Sequence, residues 1–414
     1  MTKKFKKEFL PFILGNAVTL ILQIALNKFL INTLTLEHYS YVAYLAMTTF
    51  VLVSLYSGPD SQALYRLYSE FKARTKKNAF NALYFKCIRR YSFIIAILIL
   101  LTLVTFIFNQ DLILPFFLFT VSFLQSFQAL TMSPIKASRK RTLVAILDSG
   151  HISLKILSVT ALYFFQKTLT PLMVFGAFSI SLAISIGLQF FSYLKYVIFG
   201  NASANFNLKD VTLFKEYRRP YYDFGLFGLI VFLIDKLVIQ INLGAEQLAI
   251  YFALWQIVNL ITLATTALSQ FVAPIIFDRI SGDFPNEKAF RQQMLGSMLY
   301  LVFLLVLFIP ISKHSETITA FFTNDSISKE KVCFLLLYLN MVFFNTAQLM
   351  ILIGQALNFH KKYRLSMSLR PIVMAILLFI PELSIDTVAF IVMLSSVSFM
   401  ISVGYRNLVE YRRM

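Results

Sequence analysis

Charge is scarce in this chain. Of 414 residues, 38 are Lys or Arg and 20 are Asp or Glu, 14% in all, where a soluble domain carries about 25%. Hydrophobic residues make up 58% and Phe alone 44 positions. Long apolar blocks recur from end to end, which excludes an ordinary soluble domain and places the chain among multi-span membrane proteins. Cysteine is nearly absent. Cys87 falls at the inner end of the third expected span and Cys333 in the tenth, towards the outer face, so a disulfide between them is not expected. His38, His151, His314 and His360 are scattered, and no metal-binding cluster or cofactor motif is present. No outer loop is long enough to house a catalytic domain, so an enzyme is not expected. A cleavage site is lacking as well. The basic start "MTKKFKKEF" leads into an apolar stretch longer than the roughly 7–15 residues of a signal core, and this stretch is expected to stay as the first span.

A span takes about 20 mostly apolar residues. Twelve segments meet this rule, near 9–34, 41–63, 91–109, 112–133, 142–166, 171–199, 220–243, 247–277, 294–312, 330–357, 371–385 and 386–404. The fold class expected is an all-α integral membrane protein. It would hold two six-helix bundles, 1–200 and 220–414, joined by a cytoplasmic linker over 201–219. Lys and Arg accumulate on the cytoplasmic side of a membrane. Here 31 of the 38 lie at the N-terminus, in the loops around 66–90, 136–141, 195–219, 279–291 and 361–370, and at the C-terminus. Lys167, Lys313, Lys329 and Lys331 lie on the other side, and Lys28, Lys155 and Lys236 inside spans. Both termini are therefore expected in the cytoplasm. The formal net charge of +18 is explained by topology and anionic lipid, and no nucleic-acid partner is implied.

The stretch "DKLVIQINLGAEQLAIYF" (235–252) resembles "NKFLINTLTLEHYSYVAY" (27–44) about half a chain earlier. Each has a polar residue and a lysine, an apolar helix end, a short turn with Glu, and a helix start bearing an aromatic ring. Parallel repeats related by an axis along the membrane normal follow, with a binding site expected between them near the midplane. A chance match of two apolar hairpins is the alternative.

A charge at the bilayer centre costs about 2.5–3.5 kcal/mol on insertion scales, so it faces a cavity or a partner. Lys28 and Lys236 stand in the outer halves of corresponding helices. Two fixed cations in a low-dielectric cleft suit a multiply charged anion such as a diphosphate. In the other reading, Lys28 snorkels to the interface and Lys236 pairs locally. Asp148, His151 and Lys155 are spaced by three and four residues and share a helix face. They form either a cavity wall with a proton-sensitive Asp148–His151 element or a self-satisfied ion cluster. Amides recur on one face of the first span (Asn16, Gln23, Asn27) and with Thr266 on the eighth (Gln256, Asn259, Gln270). Such stripes hydrogen-bond sugar hydroxyls or hold helices together, the latter at about 0.6 kcal/mol per bond. In "SGPD" (57–60), Gly58 and Pro59 interrupt the second span. Asp60 and Arg66 follow as an inner gate or, in the plainer reading, as a helix end at the interface.

These residues carry a resemblance. An acidic-basic pair, a short apolar run, Leu-Gly-x-Glu and a Tyr-bearing helix at 235–251 resemble the seventh and eighth spans of Wzx-type flippases, the polysaccharide-transporter branch of the superfamily that contains MATE exporters. "LTLEHYSYVAYLAM" (34–47) and "ALSQFVAPIIFDRIS" (267–281) are similar to further stretches of that family, although Leu36 departs from its pattern. The resemblance implies a MATE-like fold in the bacterial inner membrane. It also implies movement of an undecaprenyl-diphosphate-linked oligosaccharide from the cytoplasmic to the periplasmic leaflet, for O-antigen or related surface polysaccharide. A coupling cation, proton or sodium, and other polysaccharide-assembly membrane proteins are the partners implied besides lipid. Asp235 and Lys236 match the family's acidic-basic pair, whereas Lys28 has no equally firm counterpart. A MATE-like drug or cation antiporter is the competing reading. A membrane polymerase would need an outer loop with catalytic groups.

The charge asymmetry makes a direct prediction. Reporter fusions at Lys76 and within 361–364 will score cytoplasmic, and a fusion at Asp325 will score periplasmic; an external signal at Lys76 overturns the topology.

Overall fold

The computed structural model describes residues 3–73, 77–108, 113–138, 140–196, 208–280, 286–323, 327, 329–357, 360–380 and 383–413. Residues 74–76 and 139 of the basic loops, 201–207 of the expected linker, Ser281, Asp325 and residues 381–382 lie outside these. Every regular element among the described residues is helical. In order they are α1 (Lys3–Thr33), α2 (Leu36–Tyr56), α3 (Gly58–Ala73), α4 (Lys77–Phe108), α5 (Ile113–Ala137), α6 (Arg141–Gln166), α7 (Pro171–Tyr196) and α8 (Leu208–Asn242). Then come α9 (Gly244–Val258), α10 (Leu260–Ile280), α11 (Asn286–Lys313), α12 (Ser315–Phe322), α13 (Lys331–Ala356), α14 (Arg364–Met374) and α15 (Ile385–Tyr411). Two short 3-10 segments, His360–Tyr363 and Ala375–Phe379, flank α14. Only helices and closed barrels satisfy backbone groups in hydrocarbon, and this chain takes the helical solution.

Nine stretches among the described residues are long and apolar enough to cross a membrane. The helices α2 and α5, of 21 and 25 residues, reach about 31 and 37 Å at 1.5 Å per residue. Three expected segments take a different form. The second, 41–63, is two helices, because Pro59 has no N–H for the carbonyl of Leu55 and α2 ends before Ser57. The eighth, 247–277, is divided at Asn259 into α9 and α10. The eleventh, 371–385, begins earlier, at Arg364, and passes into a 3-10 segment at Ala375. Its first turns read as a loop because Arg and Ser alternate with apolar residues there. Ser366, Met367, Arg370 and Met374 nevertheless form one buried helical face. The described part of the expected linker, from Leu208 on, is the start of α8.

The chain divides into two compact units, one of Met1–Leu22 with Tyr44–Leu226 and one of Gln23–Ala43 with Phe227–Met414. In the first, α5 packs against α3, α4 and α7 around a core that includes Phe80, Tyr84, Leu130 and Tyr193. Lipid tails are as apolar as leucine, so close packing and interhelical hydrogen bonds hold such helices together. Tyr84 and Tyr193 lie 4.2 Å apart between ring centroids. Tyr193 Oη donates to Asn81 Oδ1 at 2.8 Å, and Thr131 Oγ1 to Gln189 Oε1 at 2.7 Å. In the second unit, α13 lies along α15 and also meets α9, α10 and α11. The turn between α8 and α9 needs its glycine, since Gly244 has φ of 87°, a region costly for any residue with a Cβ.

Gly354 of α13 lets the 3-10 segment approach. A Cβ there would lie 2.3 Å from Cε2 of Tyr363, a fully buried ring whose hydroxyl is anchored on Asn407. The ring has no free direction to yield. Gly354→Ala is expected to cost about 1–3 kcal/mol of stability, the usual overpacking penalty. A thermal unfolding midpoint in detergent equal to that of the wild type would contradict this account.

Candidate functional site

One cluster of charges in the first unit lies at the break in the second expected span. Asp60, only 3% exposed, lies 3.2 Å from Arg218 of α8 and accepts from Tyr91 Oη at 3.3 Å. The same hydroxyl donates to the carbonyl of Tyr56, the last residue of α2, at 2.6 Å. One tyrosine thus ties the interrupted backbone to the carboxylate just beyond Gly58 and Pro59. Arg66, one and a half turns further along α3, faces the ring of Tyr217 at 5.8 Å. The residues singled out as a gate are therefore a bonded cluster of α3, α4 and α8.

On α6, Asp148, His151 and Lys155 share a face but not a bond. Asp148 lies 3.7 Å from Lys136, and His151 Nδ1 is 2.8 Å from Ser185 Oγ of α7. The Asp148–His151 element expected from spacing is divided between these two partners. Lys155 Nζ is 5.0 Å from the ring centroid of Phe178, and among the described residues no carboxylate pairs with it. Ser158 and Ser181 meet one turn further at 3.1 Å, so a seam of polar groups runs between α6 and α7.

The second unit brings together the two similar stretches of sequence. Gln23 Nε2 donates to Asn27 Oδ1 at 3.1 Å, and Asn27 Nδ2 reaches Gln256 Oε1 at 3.5 Å, the long limit of a hydrogen bond. The amide stripes of the first and eighth expected spans therefore meet. Asn16 is turned away, donating to the Phe12 carbonyl of its own helix. Asn259 is the single residue between α9 and α10. A small cavity borders Asn27, Lys28, Gln256, Ile257 and Phe322. Lys28 Nζ stands 4.2 Å over the ring of Phe321, which is 60% exposed; its ammonium stays at the rim.

Deeper in the same unit lies the pair Asp235–Lys236, each 2% exposed. Lys236 Nζ donates to Asp235 Oδ1 at 3.0 Å, to Oδ2 at 2.9 Å and to the Phe232 carbonyl at 3.0 Å. Its three N–H groups are used up. Asp235 is equally occupied, because Oδ1 also accepts from the Lys236 amide at 2.9 Å and Oδ2 from Tyr251 Oη at 2.8 Å. The rings of Phe232, Tyr251 and Trp255 lie 4.5, 5.8 and 5.3 Å from the ammonium. Spacing alone could not show that this pair closes on itself.

The sequence places Arg370 among the cytoplasmic loop charges; the structure puts it on α14 with its side chain buried. The residue is 8% exposed and stands 4.5 Å over Phe344 of α13 and 5.9 Å from the Phe399 centroid of α15. It lies within electrostatic reach of Asp235 and Tyr251. Desolvating an ion costs several kcal/mol even after relaxation, and an aromatic face returns about 2 kcal/mol. The register of Ser366, Met367 and Met374 was the signal available in the sequence. Close by, Asn340 Oδ1 accepts from Ser396 Oγ at 2.6 Å, and Asn345 Nδ2 donates to Thr262 Oγ1 at 3.1 Å.

No protein-family model matches the chain, and no curated protein sequence matches it significantly. Solved structures do. A point-mutant form of VcmN, a Vibrio cholerae MATE transporter, superposes with a TM-score of 0.75 over 100% of this chain and 97% of its own, at 14% identity. A MOP-superfamily transporter from Pyrococcus furiosus, described as having reversed polarity in its binding pocket, gives 0.75 over 97% and 94%, at 12% identity. An outward-facing multidrug-resistance MATE transporter of the same superfamily gives 0.74 over 98% and 94%, at 12% identity. This chain is an all-α integral membrane protein whose fold is that of the MATE transporters.

The closed ion pair has a mutational signature. Lys236→Ala strands a buried carboxylate, at about 3–5 kcal/mol, and folded protein will fall together with any activity. Replacing both partners, Asp235→Asn with Lys236→Met, will recover much of the loss. Normal levels of stable Lys236→Ala protein would show that the pair does not hold the unit together.

Proposed function

We propose that this chain is a flippase for undecaprenyl-diphosphate-linked oligosaccharide, carrying it from the cytoplasmic to the periplasmic leaflet of a bacterial inner membrane for O-antigen or related polysaccharide assembly. The observation that carries the proposal is the sign of the charge left over in the membrane segments. Asp235 is saturated by Lys236 and Tyr251, while Lys28 and Lys155 rest on aromatic rings and pair with no carboxylate among the described residues. An excess of cations favours a diphosphate head over a cationic drug. The amides Gln23, Asn27 and Gln256, with Asn259, supply the donors and acceptors that sugar hydroxyls require. His151, Lys155 and Asp148 serve the head group from α6, and Asp235 with Lys236 fixes the wall behind Tyr251.

In this proposal twelve spans form two bundles, 1–200 and 220–414, with both termini in the cytoplasm and access alternating between faces. Gly58 and Pro59 form the hinge, and Asp60 and Arg66 the inner gate. A proton or sodium gradient supplies the bias, since a ligand shifts an equilibrium only by its different affinity for two states. A cation antiporter is the second reading, favoured by the multidrug transporter that shares the fold.

The deciding experiment is reconstitution with a labelled lipid-linked oligosaccharide, scored for leaflet exchange. Exchange well above protein-free vesicles is expected, with Lys155→Gln slowing it about tenfold, the equivalent of 1.4 kcal/mol, at normal levels of folded protein. Exchange at the protein-free rate, with a cationic dye expelled under a proton gradient, would replace the flippase by the antiporter.

A further inference from the structure

The interior of the second unit holds two buried cations and one buried carboxylate: Lys236, Arg370 and Asp235. The carboxylate has no capacity left. Its two oxygens offer about four lone-pair sites, and four donors fill them: the Lys236 amide, two contacts from Lys236 Nζ, and Tyr251 Oη. Tyr251 is fully buried and its hydroxyl is committed to Asp235. Arg370 is thus the surplus charge, and its Nε–H is buried without a hydrogen-bond partner. Phe344 and Phe399 supply ring faces to the guanidinium, which leaves its in-plane N–H edge for a partner. One helical turn before these rings stand Asn340 and Ser396, bonded to each other through Asn340 Oδ1, so the Asn340 amide NH2 remains a donor.

We propose that Arg370 forms a buried anion site in the second unit, taking a small monovalent inorganic anion of the size of chloride. Charge sets the sign of the ligand, because the enclosed cluster is positive by one. Size sets its class. Asp235, Lys236 and Tyr251 are no more than 2% exposed and Arg370 8%, a burial that excludes a sugar diphosphate and leaves an ion of atomic size as the ligand class. The bound anion neutralises the cluster and stabilises the packing of α13, α14 and α15. This inference stands apart from the transport proposal, since it concerns a site closed to the oligosaccharide.

The test uses the full chain purified in detergent and exchanged into sodium gluconate, with no vesicles and no transported substrate. Thermal unfolding is followed while chloride replaces gluconate at constant ionic strength. A ligand that binds only the folded state raises the midpoint in a saturable way. A saturable rise of a few degrees with chloride is expected, reproduced by bromide and not by pyrophosphate. Arg370→Met will abolish the dependence. Arg370→Lys, which keeps the charge and loses the planar edge, will shift the titration to several-fold higher chloride. Equal wild-type midpoints in chloride and gluconate would overturn the site even if neither variant folds. So would a chloride effect undiminished in Arg370→Met, or a response to pyrophosphate alone.

Discussion

A side-chain charge inside hydrocarbon has to be met by fixed groups, because no water is available to meet it. In the second unit this requirement is met at Asp235. Its carboxylate gathers the lysine that follows it, the backbone amide of that lysine and a tyrosine from the next helix. Two helices, α8 and α9, are thereby fixed on either side of the Gly244 turn. Three aromatic rings then surround the ammonium. The aromatic cage follows from the need to house one ion pair.

The first unit answers the same requirement at a helix end. Breaking a helix releases backbone carbonyls, and Tyr91 takes one of them while also holding Asp60. Arg218 completes the set from α8. The first unit thus places charge where backbone geometry is interrupted, at Ser57, whereas Asp235 and Lys236 stand within α8, about two turns before the Leu243–Gly244 turn. Irregular backbone at depth is tolerated only when its polar groups find protein partners, and both interruptions have them.

Much of the fold was legible because apolar length is a strong signal. Stretches such as 142–166 and 330–357 fall close to α6 and α13. The break at Gly58–Pro59 could be read from covalent chemistry alone. The amide stripes were legible too, although their meeting at Asn27 and Gln256 required the fold. What stayed hidden was partner choice. Spacing puts Asp148 and His151 on one face, yet only tertiary packing assigns them to Lys136 and Ser185. Arg370 escaped for a different reason. Its helix is half polar and short, so an average over about 20 residues merges it with the basic loop before it, and only the register of Ser366, Met367 and Met374 betrays a buried face.

That same helix bears on the surrounding lipid. Eleven α-helical residues followed by five in a 3-10 segment extend about 26 Å at 1.5 and 2.0 Å per residue, less than the roughly 30 Å of a typical hydrocarbon core. Ile372, Ile376 and Phe379 are 60%, 51% and 83% exposed on it. A segment too short for its bilayer is matched by local thinning or by snorkelling of flanking side chains, each at a modest cost per ångström of mismatch. On length alone, the α14 segment matches a thin hydrocarbon core better than a thick one.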